Sequence, residues 1–223
     1  MITGRTLDAD GDPMPGTGFE VDPEGDLGEL IADRTGPITS HPTRPVWGVP
    51  LPSSEADVDR TLSVFGPGYD GPPEHYHERS LERFSVRSGE VVFSVDGRRR
   101  RAGAGDTVVV ETGRRHTFGV PGDAVATVLT EIHDPGRLRY VLPTLSGLAH
   151  DAERDAGNPL QRAMIARRLD GNTVFTETDP RLTRPLARLL EPLARAGGYE
   201  GAYARYLQPA FWEAHVEQPD PTL

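Results

Sequence analysis

Two histidines separated by a single residue are the first feature that could do chemistry. His75 and His77 flank Tyr76 in a short segment of extended character. On a strand, residues two apart point to the same face and lie about 7 Å apart along the chain, so both imidazoles can reach one point. Imidazole nitrogens that converge in this way are typical metal ligands.

A carboxylate follows at the start of the next predicted strand. Glu82 and Phe84 share one face of that strand, whereas Arg83 and Arg87 share the other. Because the arginine face must meet solvent, Glu82 is expected to point inward with apolar neighbours. A buried carboxylate is costly unless something pairs with it, and a cation is a suitable partner.

His116 is the fourth predicted ligand, placed after a turn on a strand that carries His116 and Phe118 on one side. Three neutral imidazoles and one carboxylate suit Fe, Mn, Ni, Cu or Zn as a divalent ion, and they leave one or two coordination positions open. Open positions are typical of catalytic sites, whereas structural zinc sites are closed. The sequence therefore predicts one divalent transition metal ion held by His75, His77, Glu82 and His116.

Composition excludes several other kinds of site. The 223 residues contain no cysteine, which removes disulfides, thiolate zinc sites and cysteine nucleophiles. The formal net charge of −10 argues against nucleic acid as a partner, because that binding depends on basic contacts to phosphate. The acidic N-terminus does not resemble a signal peptide, and no apolar run is long enough to span a membrane, so we expect a soluble cytoplasmic protein.

Hydrophobic patterning divides the chain into three parts. Residues 1–44 form a Gly-, Asp- and Pro-rich arm with a helical turn around Leu27–Ile31, residues 45–142 form an all-β barrel, and residues 143–223 form a helical extension packed on the barrel. Asp96-Gly97 predicts a two-residue type I′ hairpin turn. Strands are predicted at residues 46–49, 61–65, 82–87, 91–95, 107–110 and 126–132.

The helical extension carries a leucine stripe. Asn158-Pro159 predicts a helix start, and a second helix is expected to begin near Thr183 and to kink near Pro192. We interpret its leucines, and the tyrosines that follow up to Phe211 and Trp212, as core packing against the barrel or against a partner in a homodimer. A membrane-surface helix is the alternative, which the acidic chain disfavours.

The metal-ligand spacing resembles the two conserved motifs of the cupin superfamily. The first reads His75-x-His77, four residues, Glu82, six residues, Gly89; the second reads Gly105, five residues, Glu111-x-Gly113, two residues, His116. Three positions depart from the family pattern without removing a ligand: the opening glycine is displaced to Gly68, Glu111 replaces a proline and Val120 replaces an asparagine.

The resemblance covers roughly residues 45–140 and implies a jelly-roll barrel of six to eight strands. The helical tail also resembles, more weakly, a group of single-cupin proteins of unsettled function. In either case the family resemblance implies a small organic molecule as the partner of the site.

Our leading hypothesis is a quercetinase-like dioxygenase in which Glu82 is both ligand and general base on a substrate hydroxyl. Phe84, Phe118 and His133 are the predicted substrate-binding residues. The alternatives are a non-redox isomerase, cyclase or hydrolase in which the metal polarises a carbonyl, and a binding or sensor module without turnover.

Other charged and polar side chains are assigned to the surface. Arg114 and Arg115 could reach a substrate carboxylate, but a solvated loop is favoured. The run 98–101, four arginines, predicts a solvated edge strand. His41, His150 and His215 are predicted to lie on the surface.

Overall fold

The computed structural model describes residues 1–151 and 154–219. The described residues form eleven β-strands and five α-helices. The strands are β1 (Thr39–Ser40), β2 (Val46–Leu51), β3 (Val58–Phe65), β4 (His75–His77), β5 (Leu81–Ser88), β6 (Glu90–Val95), β7 (Arg98–Gly103), β8 (Thr107–Val110), β9 (His116–Gly119), β10 (Ala126–His133) and β11 (Thr173–Phe175). The helices are α1 (Asp26–Ala32), α2 (Leu138–His150), α3 (Pro159–Leu169), α4 (Pro180–Ala196) and α5 (Pro209–Glu213), and a 3₁₀ turn spans Ala204–Leu207.

The strands form two antiparallel sheets. One has the order β1-β2-β3-β10-β5-β8 and the other the order β11-β4-β9-β6-β7. The predicted all-β jelly roll with helices at its C-terminal end is confirmed. More strands are found than the six to eight expected, because short segments such as β1 and β11 extend the edges of the sheets.

The interior of the barrel is an apolar cluster drawn from both sheets. Strand β5 shows the predicted alternation, with Glu82 and Phe84 buried and Arg83 and Arg87 exposed. Burying these side chains supplies the main driving force for closing the two sheets on each other. The cluster contains Phe65, Tyr69, Phe84, Val86, Val91, Phe93, Ala102, Val108, Val110, Val120, Ala126 and Val128.

A second apolar cluster covers the outer face of the six-stranded sheet. Leu62 and Val64 of β3, on the face opposite to Phe65, pack with residues of the N-terminal arm and of the C-terminal helices, including Trp212. The two ends of the chain also meet directly, since Thr6 forms a β-bridge with Val216. The N-terminal arm and the C-terminal helices therefore cover this face of the sheet together.

The turn between β6 and β7 is as predicted. Asp96 and Gly97 have φ values of 48° and 75°, the two positive values that a type I′ turn requires. Strand β7 lies at the edge of its sheet, and its four arginines at 98–101 are all exposed. The prediction of a solvated edge strand is confirmed.

The helical extension agrees with the sequence in part. The side chain of Asn158 caps α3 at the predicted place. Helix α4 begins at Pro180 rather than near Thr183, because Asp179 caps it by accepting a hydrogen bond from the backbone N–H of Arg181. The predicted boundary at residue 142 falls inside α2. Among the described residues, none of the helices is both long and apolar enough to cross a bilayer.

Candidate metal centre

Strand β4 places two of the predicted ligands. His75 and His77 are 7% and 3% exposed, while the intervening Tyr76 is half-buried on the other face. The centroids of the two imidazole rings lie 5.0 Å apart. The β4 strand is therefore the element that turns an alternating sequence into a pair of inward-facing ligands.

Glu82 and His116 complete the group from neighbouring strands. Glu82 is the second residue of β5 and is 7% exposed, and His116 opens β9 and is fully buried. In the register of the sheet His75 lies directly opposite His116. One ligand atom from each of the four residues lies within 4.8 Å of every other, as a single metal ion requires.

Each imidazole is held at Nδ1 by an oxygen atom. Nδ1 of His75 lies 2.9 Å from the carbonyl oxygen of Pro73, and Nδ1 of His116 lies 3.0 Å from that of Arg114. Nδ1 of His77 lies 3.0 Å from Oγ1 of Thr173. A carbonyl oxygen only accepts, so Nδ1 carries the proton in His75 and His116 and Nε2 is the atom that can bind a metal.

The carboxylate of Glu82 faces the Nε2 atoms of two ligand histidines. Oε2 of Glu82 is 2.8 Å from Nε2 of His116 and 3.4 Å from Nε2 of His77. The longer contact is not a hydrogen bond, and Nε2 of His77 is buried with no hydrogen-bond partner among the described residues. A buried nitrogen without a partner, aimed at a carboxylate and two more imidazoles, fits a bound cation.

Burial and mutual contact set the charges of the ligands. Burial, reinforced by the nearby His116 and His77, lowers the pKa of His75 to about 4, so that its imidazole is neutral at pH 7. Burial alone would raise the pKa of Glu82, but the imidazoles of His116 and His77 outweigh it and the pKa is lowered. Burial opposes protonation of His116 too, yet its bond to Glu82 raises its pKa. The contact between Glu82 and His116 therefore favours protonation of His116 and ionisation of Glu82.

Aromatic rings lie next to the ligands. Phe84 and Phe118 each follow a ligand by two residues on the same strand face, and their ring centroids are 5.3 Å apart. Phe84 is 2% exposed and belongs to the barrel core, whereas Phe118 is half-buried. Phe175 of β11 lies 5.9 Å from the ring of His75. The three rings therefore form an apolar surface beside the metal ligands.

The structure separates His133 from the other predicted site residues. His133 ends β10 opposite Leu81, while its neighbour Ile132 lies opposite Glu82. Successive strand residues point to opposite faces, so His133 lies on the other face of the sheet from Glu82. Its role in substrate binding remains a prediction.

Sequence reasoning missed the contribution of β11. Thr173 touches a ligand, and Asn172 and Ser80 support Thr173 through hydrogen bonds. The only local signal is a β-branched and aromatic triplet after a glycine turn, which is too short to predict a strand.

The remaining predicted surface residues do not belong to the ligand group. His41, His150 and His215 are half-buried rather than fully exposed, since the arm and α5 cover the end of α2. Arg114 forms a 2.6 Å ion pair with Asp96 of the hairpin turn, which is consistent with a solvated loop.

Comparison with protein-family models identifies the family of the barrel. Residues 61–133 match the family model described as Cupin domain. None of the curated proteins compared with the chain matches it. Several solved structures are similar to less than half of the chain.

The nucleoside dehydratase Pac13 from Streptomyces is 15% identical, covering 47% of this chain and 78% of its own, with a TM-score of 0.37. KdgF from Halomonas is 22% identical, covering 40% of this chain and 78% of its own, with a TM-score of 0.35. A predicted oxalate decarboxylase from Thermotoga maritima is 24% identical, covering 44% of this chain and 91% of its own, with a TM-score of 0.39.

Proposed function

Because this chain belongs to the cupin superfamily, we propose that it is a metal-dependent enzyme that acts on a small organic molecule. One divalent transition metal ion, Fe, Mn, Ni, Cu or Zn, would be held by His75, His77, Glu82 and His116. The observation that carries this proposal is the convergence of four buried ligand atoms within 4.8 Å, with all three imidazoles anchored at Nδ1. Histidines that bind a metal are typically anchored at the other ring nitrogen in this way.

The donor set supports catalysis rather than a purely structural role. Three imidazoles and a carboxylate leave one or two coordination positions for substrate or water, and a bound metal there would act as a Lewis acid. The closed cysteine-rich sets of structural zinc sites have no counterpart in a chain without cysteine.

Glu82 has the geometry for a second role, as general base. Its Oε2 lies where the ligand nitrogens converge, 2.8 Å from Nε2 of His116, so a group bound at the metal would lie within reach of the carboxylate. A substrate hydroxyl that approaches from the same side would deliver its proton to that oxygen. The lowered pKa of Glu82 keeps the carboxylate ionised, which is the state that a metal ligand requires, although it also makes the carboxylate a weaker base.

Within this class we propose a quercetinase-like dioxygenase. The support is the combination of a carboxylate ligand with the half-buried ring of Phe118, which packs on the buried ring of Phe84 and suits a flat phenolic or enolic ring. The test is anaerobic reconstitution with each of Fe(II), Mn(II), Ni(II) and Cu(II), followed by oxygen-uptake assays over phenols and enols. Oxygen uptake that needs both metal and substrate supports the proposal, and the absence of oxygen uptake with every combination rejects it.

The alternative with the same residues is a non-redox isomerase, cyclase or hydrolase. Its support is the ionised carboxylate of Glu82 at the metal position, because a base that moves protons and a metal that polarises a carbonyl would need no oxidant. Full activity with Zn(II) in the absence of oxygen would single it out. A ligand-binding cupin without turnover would instead show saturable binding and no product.

We further propose that the protein works in the cytoplasm as a homodimer, with a small molecule as its substrate and without nucleic acid or membrane as partners. The net charge of −10 supports the absence of nucleic-acid binding. Exposed leucines on α4 support self-association.

A further inference from the structure

The short strand β11 lies beside the strand that carries two metal ligands. In the antiparallel register Thr173 is opposite His77 and Phe175 is opposite His75. The backbone pairing extends beyond the strand, since the N–H of Glu78 donates to the carbonyl oxygen of Asn172 at 2.6 Å. A segment of the C-terminal extension therefore covers what would otherwise be the open edge of β4.

The hydrogen bond from His77 to this segment has a defined direction. Oγ1 of Thr173 donates its own proton to Oδ1 of Asn172 at 2.8 Å, so it accepts from Nδ1–H of His77 at 3.0 Å. The amide of Asn172 is oriented in turn, because its Nδ2 donates to the carbonyl oxygen of Pro135 and to Oγ of Ser80. A carbonyl oxygen cannot donate, which excludes the flipped amide.

This chain of hydrogen bonds is shielded from water. Thr173, Asn172 and Ser80 are 8%, 6% and 1% exposed. The hydroxyl of Ser80 closes the chain by donating to the carbonyl oxygen of Asp134 at 2.6 Å. With every proton assigned, Nε2 of His77 is left with its lone pair toward the metal centre.

His77 differs in this respect from the other two ligand histidines. The Nδ1 partners of His75 and His116 are main-chain carbonyls two residues away, which any barrel strand can supply. His77 depends on a side chain 96 residues further along the chain. The loss of that side chain would free the imidazole to rotate or to carry its proton on Nε2.

We propose that Thr173 is a positioning residue for His77, and that residues 172–175 of the C-terminal extension complete the metal site of the barrel. The inference rests on the metal site of the proposed function. A metal ligand whose orienting partner is removed typically loses roughly 10- to 100-fold in metal affinity.

The test is Thr173→Val, which keeps the shape of the side chain and removes the hydroxyl. Metal affinity is measured by competition with a chromophoric chelator, and the Co(II) absorption spectrum reports the ligand geometry. We expect a roughly 10- to 100-fold weaker affinity and a changed Co(II) spectrum, with both restored in Thr173→Ser. The matched control is Thr176→Val, which removes a hydroxyl that bonds Glu74 instead of a ligand.

A second variant keeps the test decisive if Thr173→Val does not fold. Asn172→Ala removes the acceptor of the Thr173 proton, which lets that hydroxyl turn and donate toward His77, so affinity should also fall. Unchanged affinity and spectrum in the folded variants would overturn the inference while leaving the metal site intact. If the unaltered protein binds no metal at all, the proposed function itself fails.

A separate observation concerns the outer face of α4, which we call the leucine face. Leu182, Leu186, Leu189 and Leu193 are 71%, 53%, 76% and 61% exposed. They follow one another at spacings of four, three and four residues, the repeat of helices that pack in pairs. Pro185, Pro192 and Ala196 fill the rest of the face, so it carries no charge.

The inner face of α4 carries the polar contacts instead. Arg184 pairs with Glu78 at 2.6 Å and with Asp170 at 3.0 Å, and Glu191 pairs with Arg167 at 2.7 Å. A surface helix ordinarily turns its apolar stripe to the core and its charges to water. The reversed arrangement indicates that the leucine face is covered by another surface.

We infer that this surface is the leucine face of a second copy of the chain. Thr183 and Leu190 on one edge of the stripe are uncharged. The other edge carries the exposed Arg181, Arg188 and Arg195, so the acidic residues responsible for the net charge of −10 do not flank the stripe, and two copies can meet here with the arginines at the rim. The face presents on the order of 500 Å² of apolar surface, at the upper end for patches on monomers. Two such faces would bury about 1,000 Å², the lower limit of a specific interface.

The test is sedimentation equilibrium of the full chain at micromolar concentrations. We expect a dimer, and a halved mass for Leu189→Arg, with Leu207→Arg as the control because Leu207 is 40% exposed outside α4. A monomeric unaltered protein, or a Leu189→Arg variant that stays dimeric, would overturn the inference. Co-sedimentation of the protein with vesicles of mixed neutral and anionic lipid, abolished by Leu189→Arg, would assign the face to membranes and also reject it.

Discussion

Oε2 of Glu82 lies 2.8 Å from Nε2 of His116, closer than its 3.4 Å distance to Nε2 of His77. Because Nδ1 of His116 already donates to a carbonyl oxygen, the short contact requires a second proton between the two side chains. This proton stands where a metal ion would bind. Metal binding and protonation of the centre therefore compete.

Metal binding should release a proton. The bond to Glu82 raises the pKa of His116, so below that pKa each metal ion must displace about one proton, and above it none. Calorimetric titration in buffers of different ionisation enthalpy counts the protons released. Metal binding at pH 6 without proton release would contradict the shared proton.

Removing a ligand should remove the metal and leave the fold. We expect His77→Ala to reduce metal affinity by at least about 100-fold, since the remaining three donors hold a divalent ion less tightly. Elemental analysis after dialysis and circular dichroism measure the two effects. Tyr76→Phe is the matched control, because Tyr76 lies between two ligands on the opposite face. A His77→Ala protein that keeps its metal would mean that the ion binds elsewhere.

Glu82→Gln should separate binding from proton transfer. The amide keeps the size of the side chain but has no charge and cannot act as a base, so metal affinity should fall moderately and turnover should fall much further. General-base removal typically costs about 10²- to 10⁴-fold in rate. Turnover measured at saturating metal tests this, and unchanged turnover would restrict Glu82 to a ligand role.

His150 should make the protein less stable in acid. Burial, together with the neighbouring His215 and His41, lowers its pKa to about 4 even though it bonds the carbonyl oxygen of Ser40. The unfolded chain takes up a proton near pH 6.5 that the folded chain refuses, so stability falls as the pH drops from about 6.5 toward 4.

We expect His150→Gln to recover about 1–2 kcal/mol of that loss, after allowance for partial exposure. Urea unfolding of the metal-free protein at pH 7.5 and pH 5 gives the difference. Equal pH dependence in the variant and the unaltered protein would show that His150 is not the source.

Phe84 should affect stability more than substrate binding. It is 2% exposed and packs against Phe93 and Phe118 in the barrel core. Phe84→Ala is expected to cost about 3–5 kcal/mol in unfolding free energy. The half-buried Phe118 is the better probe of substrate contact, and Phe118→Leu should raise KM with a smaller loss of stability. A destabilisation below 1 kcal/mol for Phe84→Ala would place Phe84 in an open pocket.

Three of the four ligands could be predicted from local sequence patterns, and His116 from its spacing in a family motif. His75 and His77 share a face by the two-residue period of a strand, and the inward direction of Glu82 follows from the arginines beside it. The hairpin at Asp96-Gly97 follows from backbone preferences of two adjacent residues. Such features depend on neighbours in the chain and survive without knowledge of the fold.

Long-range packing decided what the sequence could not. Strand β11 has three residues and no periodic signal, so only the folded chain shows that Thr173 reaches His77. The leucine stripe of α4 is visible in the sequence, but periodicity cannot tell which side of a helix meets the protein. In the structure the ion pairs of Arg184 and Glu191 turn the leucines outward. The sequence by itself determined the predicted set of metal ligands, through strand periodicity and motif spacing. Only the tertiary structure shows what orients His77 and which face of α4 is exposed, because those contacts join segments that are far apart in the chain.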